Sequence, residues 1–226
     1  MTTGLKGVVQ GRQLPDAFGS RCRDDGGRWT LTGDCPPFPT DGRPEEPARP
    51  AVTAAVSADG VRRYSFEHRV IEAADLVPSH DPFTFQANPA FAQKLQPRLR
   101  DRASAELQVL RIAANLSPDA LLTDFHTLDR GAPIVGSDLL VKSGNGRVMG
   151  LVRASKEHPD VYAGYRKQLE ARRSEFGLSV SAISGLITPV LVRVRLTELS
   201  DKERVAFVQE ANTPSGITRS AIESAR

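Results

Sequence analysis

Cysteine is almost absent: the 226-residue chain has two, Cys22 and Cys35, with no histidine or further cysteine near them at metal-ligand spacing. A structural zinc site needs four such ligands, which excludes one in this stretch. A disulfide between the two is disfavoured in a reducing compartment, so they read as unpaired thiols in a Gly-, Asp- and Pro-rich segment. Long apolar runs are missing as well. Residues 187–196 are interrupted by arginine and too short to cross a bilayer, and Met1-Thr2-Thr3-Gly4-Leu5-Lys6 lacks the apolar core of a signal peptide. These absences read as a cytoplasmic protein with no membrane partner. A strong excess of one charge is lacking too. A net charge of +3 with a pI near 9.1 permits an anionic partner without demanding one.

With 39% hydrophobic and 25% charged residues, the chain is long enough for one good core or two small ones. The first fifty residues string together Asp24-Asp25-Gly26-Gly27, Cys35-Pro36-Pro37-Phe38-Pro39 and Arg43-Pro44-Glu45-Glu46-Pro47. So little apolar surface predicts a disordered tail or linker over 1–50, with Trp29 its single large anchor. A domain is expected over 51–214. Residues 215–226 read as the start of a helix cut from a longer protein.

Within the domain, Ala51-Val52-Thr53-Ala54-Ala55-Val56 and Val61-Arg62-Arg63-Tyr64-Ser65-Phe66 flank Asp59-Gly60, a two-residue hairpin signal. The second strand is expected to continue through Val70-Ile71. Asp101 N-caps a helix reaching about Asn115, with Leu107, Leu110 and Ala114 at helical spacing, and Ser117-Pro118 opens another. Ala132-Pro133-Ile134-Val135 and Leu139-Leu140-Val141 bracket a Gly136-Ser137-Asp138 turn. From Pro159 to Phe176 a helix carries Tyr162, Tyr165, Leu169 and Phe176 on one side, which reads as core packing. Val192, Val194 and Leu196 alternate with Arg193 and Arg195, predicting a strand with one buried and one basic face. Ser200-Asp201-Lys202-Glu203 is a capping box for a helix to about Asn212.

Chemistry concentrates at Ser143-Gly144-Asn145-Gly146-Arg147, between a strand and a helix beginning at Val148. Two glycines let consecutive amides turn toward one anion, the helix N-terminus adds partial positive charge, and an arginine supplies a forked donor. The same five residues also make a plain strand-to-helix turn with a solvated arginine, and the motif by itself leaves both readings open.

Taken in order, Asp75-Leu76-Val77-Pro78, Gln96-Pro97-Arg98, Ala132-Pro133-Ile134-Val135, Gly144-Asn145-Gly146-Arg147, Pro189-Val190-Leu191-Val192 and Glu210-Ala211-Asn212 resemble the N-terminal domain of the ParB/sulfiredoxin superfamily. The similarity is to its DdrB-like branch, found in multidomain proteins of phages and mobile elements. It implies an α/β (α+β) fold, a small mixed sheet flanked by helices. It also implies that Ser143, Gly144, Asn145, Gly146 and Arg147, with Arg98 and its neighbour Arg100, grip the phosphates of CTP or another nucleotide. Glu210 and Asn212 would then hold Mg²⁺. Three departures stand out. ParB loops generally read Gly-Glu-Arg-Arg, whereas Asn145 and Gly146 replace the glutamate and first arginine; Ala211 splits the Glu-Asn pair; and the arginine that usually follows is absent. Sulfiredoxins place a catalytic cysteine in this loop, where this chain has no thiol.

Three functions stay open at this point. A nucleotide-binding regulatory or NTPase domain rests on the loop. A metal-dependent DNA nuclease would draw on His80, Asp81, Asp124, His126 and Asp129, with Arg62, Arg63, Arg193 and Arg195 facing DNA. A non-catalytic adaptor would pack against other domains of a larger DNA-associated polypeptide.

Overall fold

Asp59 and Gly60 turn the first hairpin as their chemistry requires. The Asp59 carboxylate accepts hydrogen bonds from Ser57 Oγ and, at 3.0 Å, the Val61 amide, while Gly60 takes φ +76°. The computed structural model describes residues Cys22–Arg23, Trp29–Thr30, 49–57, 59–92, 95 and 102–213. In the first unit, β1 (Cys22–Arg23) pairs antiparallel with β2 (Trp29–Thr30). The disorder expected for the rest of 1–48 and the helix start expected over 215–226 lie outside the described residues.

In the second unit, β3 (Val52–Val56) and β4 (Arg63–Glu72) form that hairpin. A 3₁₀ turn (Ala73–Asp75) follows. Then come α1 (Arg102–Ala114), α2 (Pro118–Leu122), β5 (Ile134–Val135), β6 (Val141–Ser143), α3 (Asn145–Glu157) and α4 (Pro159–Ala171). The chain closes with α5 (Ser181–Ser184), β7 (Pro189–Arg195) and α6 (Asp201–Ala211). The five strands lie in the order β3-β4-β7-β5-β6, with β7 antiparallel to β4 and parallel to β5. This is the mixed α+β sheet the sequence predicts. Among the described residues no helix is long and apolar enough to cross a membrane.

Strand alternation sorts side chains into two cores. Val190, Val192 and Val194 pack with Val148, Leu151, Tyr165 and Leu169, while Phe66 and Ile134 pack with Phe207, Val208 and Ala211 of α6. The aromatic stripe is core, as expected: Tyr162 Oη donates to the Pro189 carbonyl at 2.9 Å and Tyr165 Oη accepts from the Leu191 amide at 3.0 Å. The capping box at Ser200 and Glu203 is in place.

Three expectations change. The helix predicted to Phe176 ends at Ala171 with Arg172 as its C-cap and gives way to a 3₁₀ turn (Arg173–Phe176), which Gly177 closes in the left-handed conformation. In α1 the buried positions are Val109 and Ala113, whereas Leu107 and Leu110 are exposed; the apolar spacing was real, but α3 packs against the other stripe. Finally, β7 has no solvated basic face. Arg193 is 1% exposed, and Arg195 stacks over Phe207 at 5.1 Å, because α6 and the loop before β5 cover that side.

Candidate functional site

Four segments meet around the end of β6, and side chains of the loop that follows it join them. Segment 76–79 runs beside β6: the Val77 amide donates to the Leu139 carbonyl at 3.1 Å, and the Val141 amide donates to the Val77 carbonyl at 3.0 Å. Ser143, 1% exposed, donates to the Leu128 carbonyl at 3.2 Å and the Ala211 carbonyl at 2.8 Å. Asn145 Oδ1 accepts from the Ser79 amide at 2.7 Å, and Asn145 Nδ2 donates to the Val141 carbonyl at 3.2 Å. Asn212 Nδ2 donates to the Lys142 carbonyl at 3.0 Å and to the Val208 carbonyl at 2.7 Å. Sequence-distant pieces are thus tied together by side chains bonded to backbone, which holds the junction rigid.

Gly144 makes the turn. It enters α3 at φ +85°, where a Cβ is costly, and an added Cβ would sit 2.9 Å from Arg147 Nε. The amides of Arg147 and Val148 return to the Gly144 carbonyl at 2.9 and 3.0 Å, and no side chain caps the helix start. The first-turn amides of Asn145 and Gly146 therefore stay available to a ligand, with the helix dipole behind them. Helix α3 begins at Asn145 rather than at Val148, so the loop is the first helical turn itself.

Arg147 faces inward. Its guanidinium donates to the Gly131 carbonyl and, at 3.0 Å, to the Asp129 carbonyl. Burial pushes its pKa down to about 10, and Arg193 adds repulsion. Arg193 donates to the carbonyls of Ala132 at 3.1 Å and Thr127 at 2.8 Å and also to that of Arg130, with its own pKa lowered by burial to about 10. At neutral pH both remain charged.

The other expected site residues are placed differently. Glu210 accepts from Tyr64 Oη at 2.8 Å and pairs with Arg62 at 3.2 Å, so its carboxylate is directed at β4. Arg98 and Arg100 lie outside the described residues. Asp81 caps its own turn, accepting from the amides of Phe83 and Thr84, which holds its carboxyl below the usual range. His80 bonds Ser79 Oγ at 3.0 Å. His126 Nδ1 stands 3.6 Å from Asp124, and Asp129 engages Arg147 through its carbonyl. Among the described residues no three His, Cys, Asp or Glu gather as a metal site. Sequence reasoning missed Ser79 and the carbonyls of residues 127–132, because backbone donors and acceptors leave no residue-type signal.

The chain has no match among curated proteins or solved structures. A family model for the ddrB-like ParB superfamily domain matches residues 59–196, which take in the hairpin turn, the loop at Gly144 and all of β7. With more than half of its length matched, the chain belongs to the ddrB-like ParB superfamily.

Proposed function

We propose that this domain binds the phosphate groups of a nucleotide, CTP or another NTP, at the start of α3. The observation that carries the reading is the left-handed Gly144 opening an uncapped helix, with Asn145, Gly146 and Arg147 in its first turn. Two amides and a helix dipole suit a phosphate oxygen, and the family kinship supports a nucleotide as its source. Ser143 bonding Ala211, and Asn212 bonding Lys142, bring the end of α6 beside the loop.

Mg²⁺ is expected to arrive with the nucleotide. The family kinship points to Asn212 Oδ1 and the Glu210 carboxylate as the residues that would hold it, a hard donor set of the kind Mg²⁺ prefers. When bound, the ion would offset phosphate charge. To hold the ion, Glu210 would have to release Arg62 and Tyr64. Arg147 likewise must leave the Asp129 and Gly131 carbonyls to touch phosphate, so the chain's own contribution at first contact is backbone. Such a site is better suited to holding a nucleotide than to hydrolysing it. Association with DNA through a larger polypeptide fits the same kinship. The nuclease reading has less behind it, since its candidate residues do not gather.

Calorimetric titration of the four NTPs with Mg²⁺ tests the reading. Saturable binding tighter than millimolar is expected for at least one. Gly146→Glu should abolish it by adding a carboxylate to the first turn of α3; a Cβ there is in ordinary contact with Ile112 and Val109 at 3.9 Å, and an unchanged thermal midpoint checks that the fold is kept. Absence of binding to every NTP, or binding indifferent to Gly146→Glu, sinks the proposal.

A further inference from the structure

On the face of the sheet covered by α6, Lys142, Arg195 and Arg204 are close enough to act on one another's charge. Lys142, 2% exposed, donates to Asp138 at 2.9 Å. Arg195 lies beside this pair, because β5 and β7 run parallel with Val135 opposite Val194, which carries the Gly136 to Asp138 turn alongside Arg195. Gly136 keeps the space narrow: an added Cβ would meet Asp138 Oδ1 at 2.5 Å and Lys142 Cε at 3.0 Å. From α6, Arg204 stands one turn before Phe207 and Val208, both buried, and Phe207 is the ring under Arg195. The charges feel one another. Burial lowers the pKa of Lys142 and of Arg195, and repulsion from Arg204 lowers both further. Asp138 is the carboxylate whose charge acts on both.

Arg195 is also incompletely bonded. Its Nε and Nη1 are buried without a hydrogen-bond partner. The Phe207 ring offsets one face of the guanidinium but accepts none of its in-plane N–H groups. Leaving donors of a charged group idle and out of water costs free energy that a native structure rarely tolerates without a use. Three cations that act on one another, with idle guanidinium donors on Arg195, match a phosphate oxyanion.

We propose that Lys142, Arg195 and Arg204 form a second anion site, separate from the start of α3, which takes a phosphate group. Arg204 meets the anion from the exposed surface of α6. Arg195 turns about its outer torsions to bring the idle donors onto the phosphate oxygens, and Lys142 supplies field from behind while staying on Asp138. A free phosphate and a phosphate of the DNA backbone share this chemistry.

The full chain is titrated with inorganic phosphate and, separately, with a short DNA duplex, following thermal midpoint and calorimetric affinity. Arg204→Glu is the principal variant, since it sits on an exposed helical position, and Arg195→Gln is the second. Gly146→Glu reports on the α3 loop. In the Gly146→Glu background, which removes the loop site, saturable binding of at least one of the two anions is expected to remain, and adding Arg204→Glu should weaken it about tenfold or more. Loss with phosphate alone assigns a small-molecule source, and loss with the duplex assigns nucleic acid. If neither anion binds saturably, or if Arg204→Glu and Arg195→Gln leave both affinities unchanged, the second site does not exist, whatever the outcome at the loop.

Discussion

Arg147 on α3 and Arg193 on β7 grip the same stretch of backbone. Arg147 takes the carbonyls of Asp129 and Gly131, and Arg193 takes those of Thr127, Arg130 and Ala132. Five carbonyls in a span of six residues therefore end on two guanidiniums, and that of Arg193 also lies over the Phe66 ring at 5.5 Å, which fastens an irregular loop to the sheet. Arginine suits this because its donors spread in a rigid plane.

Replacing Arg193 should therefore be severe. Arg193→Met keeps much of the volume but strands three acceptors, with an expected loss of about 3 kcal/mol or more by urea denaturation. Arg193→Lys should recover less than half of that loss, because one ammonium cannot reach carbonyls arranged for a fork. Equal stability of the Lys variant and the wild type would mean the loop is held by something else.

His68 makes stability depend on pH. It is 2% exposed, its Nδ1 has no partner, and its ring packs on Phe176 at 5.1 Å. Burial lowers its pKa and Arg193 lowers it further, while Asp124 and the Ala51 backbone carbonyl act the other way. The folded state thus favours neutral imidazole. Its contribution is fully present above the unfolded-state pKa of about 6.5 and is lost as pH falls below that, by up to about 1.4 kcal/mol per pH unit. Chemical denaturation at pH 5, 6, 7 and 8 should show this slope between pH 5 and 6.5 and its absence in His68→Leu. Asp59, Asp81 and Glu203, whose pKa values are lowered, act only in more acid solution and do not blur the window.

How far the sequence reaches is clear from three places. The Asp59-Gly60 hairpin, the Ser200 capping box and the β7 alternation are local chemistry, and each is where its residues predict. Arg193 and Arg195 were misread because period-2 alternation says which residues share a face and nothing about what covers it. The site divides the same way. Gly144 announces a left-handed turn, but the inward aim of Arg147 depends on carbonyls sixteen and eighteen residues earlier, and the aim of Glu210 on Tyr64, 146 residues away. Membership of the superfamily is written in the order of weak motifs, whereas the use of each side chain is decided by tertiary contacts.

The α1–α3 contact is similarly non-local. At Gly150 an added Cβ would lie 2.4 Å from Ile112 Cγ2 and 2.9 Å from Ile112 Cβ. A β-branched side chain cannot rotate clear within a helix. Gly150→Ala should lose about 1–3 kcal/mol despite the better helix propensity of alanine, and Ile112→Ala added to it should restore part of that loss. A double-mutant cycle with no coupling would show that the helices are not held at this distance.

The loop itself can be moved toward its family's pattern. With Gly146 in the first turn of α3 and Arg147 engaged with Asp129 and Gly131, the loop itself offers no guanidinium free to meet a phosphate at first contact. Gly146→Arg supplies one without disturbing Arg147, since the new Cβ meets only Ile112 and Val109, each at 3.9 Å. A charge-assisted hydrogen bond contributes about 1.5–3 kcal/mol, so nucleotide affinity should rise by about tenfold to a hundredfold. The gain should shrink as salt rises, because the added contact is ionic and near the surface. Arg147→Gln should do the opposite of what a phosphate ligand would predict, costing chiefly stability and little initial affinity. If instead Gly146→Arg leaves affinity unchanged while Arg147→Gln abolishes it, Arg147 swings out on binding and is the phosphate donor after all.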